Sequence, residues 1–332
     1  MSERPDLKRF GVAVGHATDA AGATGLTVLR GVSEPLRAGV AIVGHATGSR
    51  DLLAVSPEHL VDGRVDAIML TGGSAYGLDA AAGVMRWMEE RGRGFSVGPG
   101  VVPIVPAAVV FDLAPLGSFD ARPTPAMAYA ATDSARSNDV AEGSVGAGTG
   151  TTVGKIGGPA LAMKGGVGLA IEGDDDEGLA AFALAVVNAF GDVRDANGRI
   201  IAGARKEGGG FLDTLAVLTH ASTTAAASFE RLALRNTTLA VVGVNRVMSS
   251  NELTALARAA TAAFYRRIAP CGTAFDGDIV FAVSPISGDP PDAPPAAAGV
   301  IAAAALERAL ERAVVLAKGR EGIPGIADTN GH

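Results

Sequence analysis

Thr237 stands at a junction where its hydroxyl could become reactive. It follows Asn236 in the run Arg235-Asn236-Thr237-Thr238-Leu239-Ala240-Val241-Val242. A threonine hydroxyl is a weak nucleophile unless a base stands beside it. A threonine at a free N-terminus carries that base. Its α-amine, with a pKa of about 7.7–8.0, accepts the hydroxyl proton directly or through a water. Exposing the amine requires cutting Asn236–Thr237, with the Thr237 hydroxyl attacking the preceding carbonyl. The dipeptide also has a plainer reading, because Asn is common in turns and Thr has good β-propensity. The chain has no obvious Ser-His-Asp arrangement, so an N-terminal Thr supplies what is otherwise missing.

Other motifs fall short of their chemistry. Gly148 to Lys155 approaches a phosphate loop, but the required first Gly is Thr149, and Ile156 stands where Ser or Thr must follow the Lys. Gly72-Gly73-Ser74-Ala75-Tyr76 sits between a strand and a helix like a nucleophile elbow, with Tyr76 replacing the second Gly. Asp174-Asp175-Asp176-Glu177 lacks the alternating spacing and distal Glu of a calcium loop, and reads as a solvated turn. The histidines are His16, His45, His59, His220 and His332, with no H-x-x-x-H pair, and Cys271 is the only cysteine. Polar structural roles are expected for His16 and His45, and no metal site is expected.

Elements that could position Thr237 are visible in the pattern. Residues 11–30 and 39–48 read as strands separated by Gly turns. Ala67–Leu70 is a short buried strand. Leu78, Ala81, Ala82, Met85 and Met88 then recur at helical spacing, with Gly92 as the stop. Val101–Leu113 is apolar and broken by prolines, and 120–155 reads as loop. Gly178–Asn188 is apolar, with Leu184–Val187 the best strand within it. Residues 205–236 are small, polar and weakly patterned, as in an exposed connector. Order resumes with a strand over Thr238–Val244. Ser249 and Glu252 form a capping box, and Leu253, Leu256, Ala257, Ala260 and Phe264 follow on one helical face. Asp278–Val283 is a further strand, Pro291–Pro295 a bend and Ala296–Lys318 a long Ala-rich helix. No repeat of fixed period is present.

Composition limits the alternatives. The 332 residues are 48% hydrophobic and 19% charged, a globular balance of one large or two ordinary domains. A formal charge of −7 without a Lys/Arg cluster argues against a nucleic-acid partner. A single cysteine fits a reducing compartment. The N-terminus has no apolar signal segment, and Val101–Phe111 falls well short of the ~20 residues of a membrane span. A cytoplasmic protein without membrane contact is expected.

Several stretches, in order over roughly residues 10–285, resemble one known family. They are Gly44-His45-Ala46-Thr47, Leu70-Thr71-Gly72-Gly73-Ser74-Ala75-Tyr76-Gly77-Leu78-Asp79-Ala80, Gly146-Ala147-Gly148-Thr149-Gly150 through Gly154-Lys155, Val186-Val187-Asn188-Ala189, Asn236-Thr237-Thr238 and Phe275-Asp276-Gly277-Asp278. The family is that of the autoprocessing peptidases and amidases that includes L-aminopeptidase/D-Ala-esterase, the β-aminopeptidases and the endo-type nylon-oligomer hydrolase. The resemblance implies an α/β fold, a four-layer αββα sandwich like that of the Ntn hydrolases. It implies one domain over 1–332, processed into 1–236 and 237–332, with no cofactor and a homo-oligomer such as a tetramer of processed units. The substrate class it implies is a small peptide or oligoamide.

Site residues follow from the same resemblance. Asn236-Thr237 matches the processing junction, making Thr237 the nucleophile. Lys155, Asn188, Asp276 and Asp278 match the other catalytic positions. Asp276 and Asp278 would orient the Thr237 hydroxyl and balance the α-amine, Lys155 would tune that amine, and Asn188 would donate to the developing oxyanion. Tyr76, Phe111, Gly146 and Gly148 are the substrate-side candidates. The pattern departs from the aminopeptidase branch, which uses Ser as nucleophile, with Ser and Glu at the positions of Asp276 and Asp278. A Tyr that assists catalysis in relatives is Phe111 here. Asp112 is the one candidate for holding a substrate α-amine. Strict aminopeptidase action and an unprocessed binding protein of the same fold are the alternatives.

Overall fold

The computed structural model describes residues 5–174, 178–220, 236–274, 276–290 and 294–329. Phe275, His332, the acidic run 175–177 and most of the expected connector, 221–235, lie outside the described residues.

Two sheets form the middle of the molecule. The strands that build them are β1 (Val12–Asp19), β2 (Thr24–Gly31), β3 (Leu36–Ile42), β4 (Ser49–Arg50), β5 (Arg64–Val65), β6 (Ala67–Thr71), β7 (Ala107–Val109), β8 (Gly166–Gly173), β9 (Ala180–Asn188), β10 (Thr237–Val244) and β11 (Ile279–Pro285). The first sheet runs β1-β2-β6-β7-β4, and the second runs β8-β9-β10-β11-β3-β5. Four helices cover the outer faces: α1 (Ala81–Glu89), α2 (Pro125–Asp133), α3 (Ser250–Ala260) and α4 (Pro295–Val315).

Side-chain size sorts the layers. Successive residues of a strand point to opposite faces. In β9, Phe182, Leu184 and Val186 pack between the sheets with Val12, Leu29, Ile68, Leu239, Val241 and Phe281. The alternate residues Ala181, Ala183, Ala185 and Val187 face the helix side, with Leu253 and Leu256 of α3 and Leu306 and Leu310 of α4. Large side chains thus fill the space between sheets, and small ones let helices lie close. Each fully buried Leu or Phe contributes about 1.5–3 kcal/mol. On the other face, Leu26, Val28 and Met69 pack beneath Val84 and Met88 of α1 and Ala128 and Ala131 of α2. The order is helix, sheet, sheet, helix, the expected αββα sandwich. No helix among the described residues is long and apolar enough to cross a membrane.

Some elements differ from the expectation. The segment 120–155 contains α2, capped by Thr124, whose hydroxyl accepts from Met127 N, with Pro125 at the first helical position. The 78–88 helix opens as a 3-10 stretch over Ser74–Ala80 before α1 begins. The strand expected at Leu184–Val187 spans Ala180–Asn188. β8 has no counterpart among the expected strands. A Cβ at Gly168 would stand 2.0 Å from Ala309 O of α4, so Gly serves the close helix–sheet approach there. The Ser249–Glu252 capping box is present in full.

Candidate active site

Sheet topology brings the chemistry to one edge. β10 is an interior strand, antiparallel to β9 and parallel to β11. The start of β10, the end of β9 and the entry to β11 therefore coincide. Asn188 pairs with Thr237 in register, and Asn236 bridges Asp276.

Thr237 is buried, and its hydroxyl donates to Asn236 O at 2.6 Å. Gly277 N donates to the same oxygen at 2.9 Å. A Cβ at Gly277 would stand 2.7 Å from Thr237 Oγ1, so Gly leaves room above the hydroxyl. Asp278 accepts from Thr238 N at 2.5 Å and Gly272 N at 3.1 Å. Asp276 accepts from Thr273 N at 2.9 Å. Asp278 thus braces the backbone just after the junction and Asp276 the loop that leads into β11, while the Thr237 hydroxyl turns to the carbonyl before it. Gly44 lies against this turn: a Cβ there would stand 2.0 Å from Asp276 O.

Asn188 is held at both ends of its amide. Its Oδ1 accepts from Thr152 N at 3.0 Å and Lys155 Nζ at 3.0 Å, and its Nδ2 donates to Phe111 O at 3.0 Å. Lys155 Nζ also donates to Asn188 O at 2.9 Å. Two donors on one side and a carbonyl on the other fix which end is oxygen.

Electrostatics follow from burial. Asp278 is pushed up to about 7, first by desolvation and then by the Asp276 charge, against the Thr238 and Gly272 N–H groups and Lys155. Asp276 is also raised, chiefly by desolvation, with the Thr273 contacts and Lys155 opposing. Two buried carboxylates this close resist ionising together. Burial and the same two carboxylates push the Cys271 thiol far up, which keeps it protonated and a poor nucleophile.

Other sequence candidates sit differently. Phe111 reaches the site through its backbone carbonyl. Tyr76 is 54% exposed, with the Arg122 guanidinium 3.6 Å from its ring centre. Gly146 packs on His16 and Thr27, and Gly148 on the backbone of Gly166 and Val167, so both serve close packing. His16 Nδ1 is hydrogen-bonded to Thr27 Oγ1 at 2.9 Å, whereas His45 is exposed. Asp112 is 1% exposed and accepts from Gly73 N at 2.6 Å and Thr24 Oγ1 at 2.7 Å, so it is committed to the interior. Sequence reasoning missed Gly277 and Thr152, which act through backbone N–H groups. Only the Asp-Gly-Asp spacing hinted at the first. A hollow lined by Ala114, Pro115, Thr152, Gly158, Pro159 and Ala162 lies beside Lys155.

Similarity to known proteins places the chain among the amide-bond hydrolases. The match to peptidase family S58 runs over residues 9–326, and the chain belongs to that family. It is 38% identical over 302 residues to an uncharacterized aminopeptidase of Mycobacterium tuberculosis (strain ATCC 25618 / H37Rv), covering 86% of this chain and 84% of the relative. It is 29% identical over 305 residues to a 6-aminohexanoate-oligomer endohydrolase of Kocuria sp. (strain KY2), covering 87% and 77%. The fold matches the L-aminopeptidase D-Ala-esterase/amidase of Ochrobactrum anthropi, described as a new variant among the Ntn hydrolase fold. That match has a TM-score of 0.67 and 21% identity, over 95% of this chain and 86% of that one.

Proposed function

We propose that the protein cuts its own Asn236–Thr237 bond and then hydrolyses amides through the freed Thr237. One observation carries this reading: the Thr237 hydroxyl lies 2.6 Å from Asn236 O, while Gly277 N–H holds that oxygen at 2.9 Å. In the first step Oγ1 attacks the Asn236 carbonyl carbon, and the oxyanion forms against the Gly277 N–H. The C–N bond breaks, and the nitrogen takes the proton given up by Oγ1, directly or through a water, to become the Thr237 amine. Water then hydrolyses the ester, leaving an Asn236 carboxylate. The chains 1–236 and 237–332 stay together, because β10 and β11 of the second lie between β9 and β3 of the first.

In turnover the α-amine takes the hydroxyl proton and Oγ1 attacks the substrate carbonyl. Asn188 donates to the oxyanion through Nδ2. The leaving amine departs protonated, and water releases the acyl group from Thr237. Asp278, held on Thr238 N, and Asp276, held in the loop before β11, balance the amine when it carries a proton.

The proposed substrate is a short peptide or oligoamide cut internally, in the manner that the name of the Kocuria relative describes. The commitment of Asp112 to buried donors supports internal cutting, since it was the carboxylate offered for a substrate α-amine. Removal of single N-terminal residues is the second reading, favoured by the name of the Mycobacterium relative. A requirement for a free substrate amine distinguishes the two.

Intact mass of the purified protein under denaturing conditions tests the reading. Two chains of roughly 24 and 10 kDa, by share of length from 33.1 kDa, are expected, the smaller beginning at Thr237. One uncut chain that still turns over substrate would refute it. Gly277→Ala sets a Cβ 2.7 Å from Thr237 Oγ1 and 3.0 Å from Ala46 O. Self-cleavage is expected to slow about 100-fold, followed as precursor remaining over time. Cleavage at the parent rate would show that the turn accepts a Cβ without disturbing the attacking hydroxyl.

A further inference from the structure

Lys164 and Asp112 are two buried charged side chains that the steps above do not use. Each is 1% exposed. Lys164 Nζ donates to Gly148 O at 3.3 Å, Thr149 O at 3.0 Å and Thr151 O at 2.7 Å. Three carbonyls match the three hydrogens of an ammonium. They belong to the loop that runs directly into Thr152, the residue whose N–H holds Asn188 Oδ1. Lys164 also pairs with Thr152 across a two-stranded ladder, and Gly165 N donates to Thr151 O at 3.0 Å.

Asp112 sits at the other end of the same amide. It directly follows Phe111, whose carbonyl accepts from Asn188 Nδ2. Gly73 N–H and the Thr24 hydroxyl clamp its carboxylate from the first sheet. The two charges attract each other. Burial pushes Lys164 down to about 7, with Asp112 opposing and Arg320 adding to the shift. Burial pushes Asp112 up to about 6, with Lys164 opposing alongside its hydrogen-bond donors.

The geometry points to Lys164 and Asp112 as positioning residues for the Asn188 side chain, Lys164 setting the donor to its oxygen and Asp112 the acceptor of its Nδ2 hydrogen. Burying two charges is a poor source of stability, because desolvation opposes it. What this pair supplies is placement: one charge anchors each of the two backbone groups that aim the amide. The inference rests on Asn188 acting as an oxyanion donor, as proposed above.

Lys164→Met and Asp112→Asn test it, each alone and combined with Asn188→Ala. Rates are taken per processed Thr237 N-terminus, counted by intact mass. In the parent background kcat is expected to fall about 10- to 100-fold with KM nearly unchanged. In the Asn188→Ala background neither change is expected to lower kcat further, because the group they aim is gone. A purely structural role would cut the yield of processed enzyme and leave kcat per N-terminus at the parent value, which would overturn the inference. Losses that multiply with Asn188→Ala would overturn it too. Asp112→Asn keeps the side-chain shape, so the comparison stands if Lys164→Met does not fold. Parent turnover in Asn188→Ala alone would instead overturn the oxyanion assignment, and this inference with it. An uncut parent chain would mark failure at the earlier step, the nucleophile.

Discussion

Replacing Thr237 by alanine is expected to leave one 33.1 kDa chain and to lower amide hydrolysis by on the order of 10⁶. The substitution removes the attacking oxygen from both steps, so neither self-cleavage nor acyl transfer has a route. It keeps the Cβ in an interior strand, so the sandwich should persist, and circular dichroism checks that. Thr237→Ser restores the oxygen without the methyl. The branched side chain of Thr limits χ1, and a Cβ built at Gly277 would stand 3.4 Å from Thr237 Cγ2, which puts that methyl beside the turn. Serine is therefore expected to cleave itself, more slowly, because its hydroxyl samples more rotamers. Intact mass over time separates the three proteins. A Thr237→Ala chain that still divides at 236/237 would place the nucleophile elsewhere.

Asn188→Ala is expected to lower kcat by about 10²–10³ with little change in KM, the size of effect that follows loss of one oxyanion donor. A structural cost accompanies it. Thr152 N–H and Phe111 O each lose the hydrogen bond to the Asn188 side chain, at about 0.5–1.5 kcal/mol per bond. Lys155 retains its bond to Asn188 O, because that acceptor is backbone. Self-cleavage is expected to continue, since the carbonyl attacked in that step is held by Gly277 N–H. Kinetics on the processed variant, with a thermal melt beside them, separate lost catalysis from lost stability. Parent kcat in the variant would remove Asn188 from the chemistry.

Much of this site was legible in residue types. A hydroxyl behind Asn236, an Asp-Gly-Asp turn and an Asn ending an apolar run are local features, and local order along a chain survives in its sequence. The sandwich was legible in part for the same reason. The alternation of Phe182, Leu184 and Val186 with Ala181, Ala183 and Ala185 is written in β9 itself, although an unbroken apolar run does not mark where its strand begins. β8 was not legible. Gly166 and Gly168 weaken any strand signal, and the reason for them is the backbone of α4, some 140 residues away.

The sequence alone determined which groups were present: a candidate nucleophile, two carboxylates, an ammonium and an amide, on a chain with enough apolar material to bury them. Tertiary structure decided which way each one points. Thr237 meets Asn188 through an antiparallel register, and Asp278 meets Thr238 through a parallel one, pairings that span tens of residues. Gly146 and Gly148 were named as substrate-side candidates, and tertiary structure sets their Cα positions tightly against His16, Thr27 and the Gly166–Val167 backbone. Asp112 looked open to a substrate amine and is turned inward by two donors, with Lys164 as its charged counterpart. Such facing relations depend on distances between segments far apart in the chain, and residue order does not encode them until strand register and layer packing bring those segments together.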